Sequence, residues 1–377
     1  MNFEDIRPYH DEEVQQKVKN LVDEPQFQQV IEHVYNEVNY LEFKEKMLQV
    51  QTVKQFQQFI VVPLLNKLLK KSTNGLSFEG IENLEKGKAY LFVSTHRDIV
   101  LDSALMNYVL LEQGFETAEI AIGDNLMKIP WVVDLVKLNK SFIVKRNLPK
   151  EEKVQGSIQL SSYINHTIKN KGESIWIAQR SGRSKDGNDA TNPSLLKMFN
   201  LANGEMPALE GIKSLNICPV SIAYEYNPCD VLTLPEQMIV AKGEKYEKQP
   251  MEDMMHMGQG IEGEKGRVKV SFGQPLNALL DELEGVKNRN QLLASVAKII
   301  DNEIHHSYHL MPTNYIAYDI LNKTEQFKEE YTTAEKQGFK TYMESRLKEI
   351  AGDEQLKHDT FLMMYANPVS NSLVKTT

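Results

Sequence analysis

Four short apolar runs, Tyr90 to Val93, Ile120 to Ile122, Phe142 to Val144 and Ile175 to Ala178, alternate with longer stretches of helical character. No other feature constrains the fold as strongly. Runs this short, without a polar face, read as strands buried on both sides. The helical stretches between them, such as Asp102 to Leu111 and Lys153 to Ile168, supply the crossovers that parallel strands require. A fifth run, Ile217 to Ala223, continues the pattern, and Val268, Val270 and Phe272 alternate in strand fashion before Gly273-Gln274-Pro275. The expected fold is α/β, a mixed central sheet flanked by helices.

The flanks read differently. Val14, Val18, Leu21 and Val22, then Phe27, Val30, Ile31, Val34 and Val38, recur at helical spacing, with Pro25 suited to a first turn. A third stripe, Phe56, Phe59, Ile60, Leu64, Leu65, Leu68 and Leu69, is interrupted by Pro63. It carries Lys67, Lys70 and Lys71 near its end, so it could pack in a bundle or lie on an anionic membrane surface. Ser72-Thr73-Asn74-Gly75 supplies a break. The expected division is a helical domain over 1–73, an α/β domain over 74–283 and a helical extension over 284–377 ending in a polar tail, Val374 to Thr377.

Of 377 residues, 41% are hydrophobic, enough for a large core and against disorder. The net charge of −9 argues against a general nucleic-acid coating, although a local basic pocket remains open. No run approaches the roughly 18 apolar residues of a membrane span. The acidic, polar start does not resemble a secretory signal, so a cytoplasmic location is expected. Cys218 and Cys229 are too few for a disulfide framework or a thiolate metal site.

Chemistry concentrates where the apolar runs end. The first run leads into Ser94-Thr95-His96-Arg97-Asp98 and then Asp102-Ser103. Ligands of open α/β sheets bind at the carboxyl ends of strands. A histidine there can take a proton from a hydroxyl if a carboxylate orients the ring, and Asp98 and Asp102 are both near enough in sequence. The bland alternative makes His96 a loop residue and Asp98 a helix cap. His96-Arg97-Asp98 also spells a kinase catalytic tripeptide. The asparagine that loop needs is replaced by Ser103, and the glycine-rich loop and Asp-Phe-Gly triplet are missing. The third run ends in Lys145-Arg146, of which strand alternation lets only one face a cleft, and a guanidinium suits phosphate better. The fourth runs into Gln179-Arg180-Ser181-Gly182-Arg183-Ser184-Lys185, three cations around a glycine, which fits an anionic ligand.

In order and spacing these stretches resemble the four blocks of the glycerophospholipid acyltransferases, most closely the glycerol-3-phosphate and lysophosphatidate branch. His96 and Asp102 resemble the His-x4-Asp block, Gly123, Asn125 and Phe142 to Arg146 the second, and Ser181 to Ser184 the third. Ile217-Cys218-Pro219-Val220 resembles the fourth. The matched region spans about residues 74 to 280. Two departures stand out: five residues rather than four separate His96 from Asp102, and the third block lacks its glutamate, with Gln179 or Ser181 nearby. Asp102 is preferred to Asp98 because the helix after it matches the family.

The resemblance implies acyl transfer from acyl-carrier protein or acyl-CoA to a hydroxyl of glycerol 3-phosphate or lysophosphatidate, in phospholipid biosynthesis. His96 would be general base and Asp102 its orienting partner. Arg97, Lys145, Arg146, Arg180, Gly182, Arg183 and Ser184 would bind the phosphate, Gly123, Asn125 and Pro219 would line the acceptor and acyl pocket, and backbone N–H groups would stabilise an oxyanion. It implies no metal or redox cofactor, no nucleic-acid partner, and contact with the inner face of a membrane. Another lysolipid or amino-acid-linked acceptor, or a catalytically silent lipid-binding homologue, are the alternatives. The cluster His305, His306 and His309 lacks the partners of a zinc site. Met251, Met254, Met255 and Met257 read as a poorly structured loop, with a soft surface beside an acyl chain as the alternative.

Overall fold

The computed structural model describes residues 1–34, 39–127 and 129–374; Val38 of the second helical stripe and Lys375 to Thr377 of the tail lie outside them. Seven strands form one mixed sheet: β1 (Leu76–Glu79), β2 (Leu91–Ser94), β3 (Glu119–Gly123), β4 (Ser141–Val144), β5 (Ile175–Ala178), β6 (Ile217–Tyr224) and β7 (Val268–Phe272). Their spatial order is β1-β7-β6-β2-β5-β3-β4, and every pair is parallel except β6 with β7. The six apolar runs are all strands. The edge strand β1, Leu-Ser-Phe-Glu, was missed because it is short and mostly exposed, with no apolar signature to read.

Alternation along the strands builds two cores. Leu91, Val93, Ile175 and Ile217 face helices Lys153–His166, Pro193–Phe199 and Arg289–Ser307. Phe92, Trp176, Cys218, Val220 and Ile222 face helix Leu101–Glu112. Helix Arg289–Ser307 therefore fills one face of the sheet, although it lies beyond residue 283.

The N-terminal helices form a core of their own around Val14, Val18, Phe27, Phe43 and Phe56, which also takes Leu138 from the α/β part. The third stripe is continuously helical from Val53 to Ser72. A π-helical segment, Gln57–Val61, precedes Pro63, so the missing proline N–H falls where the helical register has already shifted. Phe56 and Ile60 bury in the N-terminal core, and Leu65 and Leu68 against the sheet. The stripe is thus internal packing, with Phe59 60% exposed as its outlier.

The methionine-rich stretch is not a loop but a helix, Glu252–Glu262. Gly258 and Gly260 lower its intrinsic propensity, which hid it in the sequence. Met251 precedes it in the left-handed region with φ of 64°. At the far end of the chain, Pro312–Asn322, Thr333–Leu347 and Glu354–Leu373 pack with Asp230–Ala241 around Leu234, Phe339 and Phe361. Among the described residues no helix is long and apolar enough to cross a membrane.

Candidate active site

The five strands β6, β2, β5, β3 and β4 run parallel, so their carboxyl ends share one edge. That edge presents His96 after β2, the Arg180–Arg183 loop after β5, Gly123 and Asn125 after β3, and Arg146 after β4. Sheet order thus brings together motifs that the sequence scatters.

His96 and Asp102 meet. His96 Nδ1 lies 2.9 Å from Asp102 Oδ2, and the same oxygen accepts from the backbone N–H of Arg97 at 2.6 Å and of Asp98 at 2.9 Å. Tyr224 donates its hydroxyl to the other oxygen, Oδ1, at 2.8 Å. A carboxylate so placed accepts the Nδ1–H hydrogen bond, fixes that tautomer and leaves the Nε2 lone pair to act as base. Asp102 is 1% exposed, and the His96 side chain, 18% exposed, is braced edge-on by Trp176 at 5.5 Å. The extra residue between them is absorbed by a turn in which Asp98 Oδ1 accepts from Val100 and Leu101 N–H, both at 2.8 Å. Asp98 therefore caps the helix instead of orienting His96. Burial and the neighbouring Asp102 push its carboxyl pKa upward.

Tyr224 completes this site and was not foreseen. It ends β6 on the same face as Cys218, Val220 and Ile222, but it is 122 residues from Asp102, and no local signal connects them.

Among the expected anion ligands, the structure separates free charges from spent ones. Arg97 is buried and forks onto Asp189, with N–O distances of 2.7 and 2.5 Å, and also reaches Ser184 O at 3.3 Å. The cavity beside it, about 20 Å³, holds at most one water. Arg97 is a structural tie between the first and third blocks and not a phosphate ligand. Lys145 turns to Asp5 and Gln159, away from Arg146, whose exposed side chain turns to Gly123. Ser184 is buried and donates its hydroxyl to Asn188 O, while its N–H donates to His96 O at 2.7 Å. It links the two loops and has no hydroxyl to spare. Pro219 sits inside β6 on the face opposite His96, against Gly273 and helix Arg289–Ser307. It cannot line a pocket beside His96.

The remaining arginines differ. Arg180 pairs with Asp186 at 3.4 Å within its own loop. Arg146 and Arg183 form no ion pair among the described residues, whereas Arg7, Arg97, Arg180, Arg267 and Arg346 all do. The Arg146 guanidinium lies over Gly123, where an added Cβ would come within 2.7 Å of Nε and 2.6 Å of Asn125 Oδ1. Only glycine permits that approach. Gly182 turns the third-block loop with φ of 81°. The loop is propped from behind by the C-terminal helix, whose Asn367 donates to Asp186 O at 2.7 Å. In the third block, Gln179 is buried and reaches Asp189 at 3.3 Å, and Ser181 is exposed, so neither replaces the family's glutamate.

A cleft of about 580 Å³ lies at the other end of the sheet, lined by Arg7, Lys54, Glu119, Lys140 and Lys171 among others. Its arginine and lysines are already paired with carboxylates, Arg7 with Glu4 and Glu13, Lys54 with Glu116, Lys140 with Glu173 and Lys171 with Glu119. Elsewhere, His305 Nε2 is engaged with Asp189 O at 2.7 Å.

A His-Asp pair at the carboxyl edge of a mostly parallel sheet, with two arginines on that edge that form no ion pair among the described residues, is an arrangement that can move a proton at an edge able to take an anion. Residues 75–222 match the acyltransferase family. The chain is 27% identical over 220 residues to a glycerol-3-phosphate acyltransferase of Alteromonas mediterranea, covering 56% of this chain and 25% of that protein. The chain thus spans about a quarter of the relative it matches. It is also similar to a solved 1-acyl-sn-glycerophosphate acyltransferase of Thermotoga maritima, with a TM-score of 0.36, 14% identity, and 75% and 94% of the two chains covered.

Proposed function

We propose that the protein transfers a fatty acyl group from a thioester, acyl-carrier protein or acyl-CoA, to a hydroxyl of a glycerol phosphate, either glycerol 3-phosphate or lysophosphatidate. The observation that carries this reading is the 2.9 Å His96–Asp102 contact on the edge that also holds the unpaired Arg146 and Arg183. His96 Nε2 takes the acceptor's hydroxyl proton as that oxygen bonds to the thioester carbonyl carbon. Collapse breaks the C–S bond, and His96 returns the proton to the departing thiolate, giving ester and free thiol. Asp102 stabilises the transient imidazolium. Arg146 and Arg183 hold the acceptor phosphate, with Gly123 and Asn125 beside it. No metal or redox cofactor enters this reaction.

Work at the inner face of a membrane is part of the same proposal, since the lipid product belongs in a bilayer. Purified protein given labelled glycerol 3-phosphate or lysophosphatidate and each donor should form ester, and His96→Ala should abolish it. Undiminished turnover in that variant refutes the mechanism. The absence of the third-block glutamate favours a second reading, in which another lysolipid or an amino-acid-linked lipid is the acceptor; reaction with glycerol phosphates alone removes it. The intact His96–Asp102–Tyr224 network counts against a catalytically silent homologue.

A further inference from the structure

The helix Glu252–Glu262 touches all three motif loops. Gly260 packs against Asp98 of the first, Asp253 accepts from Asn125 Nδ2 of the second at 3.3 Å, and His256 Nδ1 meets the guanidinium of Arg183 in the third. His256 is 1% exposed, and its carbonyl is held by the Cys229 thiol at 3.3 Å. Nδ1 can accept from a guanidinium only while it carries no proton, so the ring facing Arg183 is neutral. Burial and the Arg183 charge act in the same direction, lowering the His256 pKa to about 4. The carboxylates that Arg183 feels, Asp98 and Asp253, lie beyond ion-pair distance. Asp98 has its pKa pushed up by burial, and Asp253 is engaged by Lys248.

We infer that His256 is a positioning residue for the anion clamp: it fixes the Arg183 guanidinium through a neutral acceptor and so leaves the full positive charge for a phosphate-bearing acceptor. A carboxylate at this position would hold the arginine equally well but cancel its charge, as Asp189 does for Arg97 and Asp230 for Arg346. The arrangement separates the geometry of Arg183 from its charge, which the ion-paired arginines of this chain do not achieve. A residue 73 positions downstream of the third block, in a stretch with no motif of its own, would then set affinity for the acceptor phosphate.

This inference rests on the reading that Arg183 faces the acceptor phosphate, and the test separates the two. Binding of inorganic phosphate and of glycerol 3-phosphate to the full chain is measured by calorimetry for the wild type, His256→Gln, His256→Glu, Arg183→Ala and the Arg183→Ala/His256→Glu double variant, with thermal unfolding as a check on folding. His256→Gln, which keeps a neutral acceptor, should bind within about 3-fold of wild type. His256→Glu should weaken binding by about 10-fold or more, the scale of one charge-assisted contact, and should add nothing once Arg183 is removed. In turnover, His256→Glu should raise the KM for the phosphate-bearing acceptor and leave kcat and the KM for the donor close to wild type. Equal binding by His256→Glu and wild type, or equal loss in the Gln and Glu variants, overturns the inference. Phosphate binding with this pattern but no acyl transfer sinks the proposed reaction and leaves the role of His256 standing. No phosphate binding by the wild type removes the clamp and the inference together.

Discussion

Two glycines of one helix should respond to alanine with opposite signs. Gly258 is exposed, and a Cβ built on it meets nothing within 4 Å. Gly258→Ala should therefore gain the intrinsic helix preference alone, about 1 kcal/mol, or roughly 2 °C in Tm for a chain of this size. Gly260 lies two residues on and faces inward. Its Cβ would stand 2.0 Å from Asp98 Oδ2 and 3.0 Å from Asp98 Cγ. Normal contact needs about 3.5 Å, so something must move by roughly 1.5 Å. Asp98 is buried and pinned by its two 2.8 Å bonds to Val100 and Leu101, which leaves the helix to lift. Overpacking of this kind costs about 1–3 kcal/mol, and loosening the Asp253–Asn125 and His256–Arg183 contacts adds about 1 kcal/mol each. Set against the same propensity gain, Gly260→Ala should lose about 2–4 kcal/mol and weaken phosphate binding. Thermal unfolding of both variants beside the wild type checks this. Tm shifts of the same sign and similar size would refute the reasoning, because propensity would then outweigh the packing of this helix on the first-block loop.

Tyr224→Phe keeps the buried ring and removes only the hydroxyl, leaving Asp102 Oδ1 without its donor. Stability should fall by about 1.5–3 kcal/mol, and kcat should fall while both KM values hold, as chemical denaturation and steady-state kinetics would show. The lowered His256 pKa carries a pH signature. Between pH 6.5 and about 4 the unfolded chain takes up a proton at this ring that the folded chain refuses, so folding stability present above pH 6.5 is lost as the pH falls through that window. Arg183, Lys185 and Glu252 are the charges that face the ring, and the loss should reach about 3 kcal/mol at most. Denaturant unfolding at pH 7 and pH 4.5 should show a smaller acid loss for His256→Gln than for wild type, and identical losses would contradict the assignment.

The sequence by itself determined the layered α/β sheet and the ends of its strands, because apolar runs and the helices between them are local properties of the chain. It also placed His96, Arg146 and Arg183 at strand ends, since a residue that follows a buried strand emerges at the edge whatever the rest of the chain does. The choice of Asp102 over Asp98 lay just within its reach through the helix that follows. What it could not decide was which charges remain free. Arg97 looked like a phosphate ligand until Asp189, 92 residues away, folded against it, and Lys145 until Asp5 drew it aside. Tyr224 and His256 had no motif at all, and become part of the site only because β6 lies beside β2 and a glycine-bearing helix closes over the carboxyl edge. An ionic group's role depends on what neutralises it within a few ångströms, and that distance is set by tertiary packing. The sequence shows which charges are present; only the fold decides which are left for a substrate.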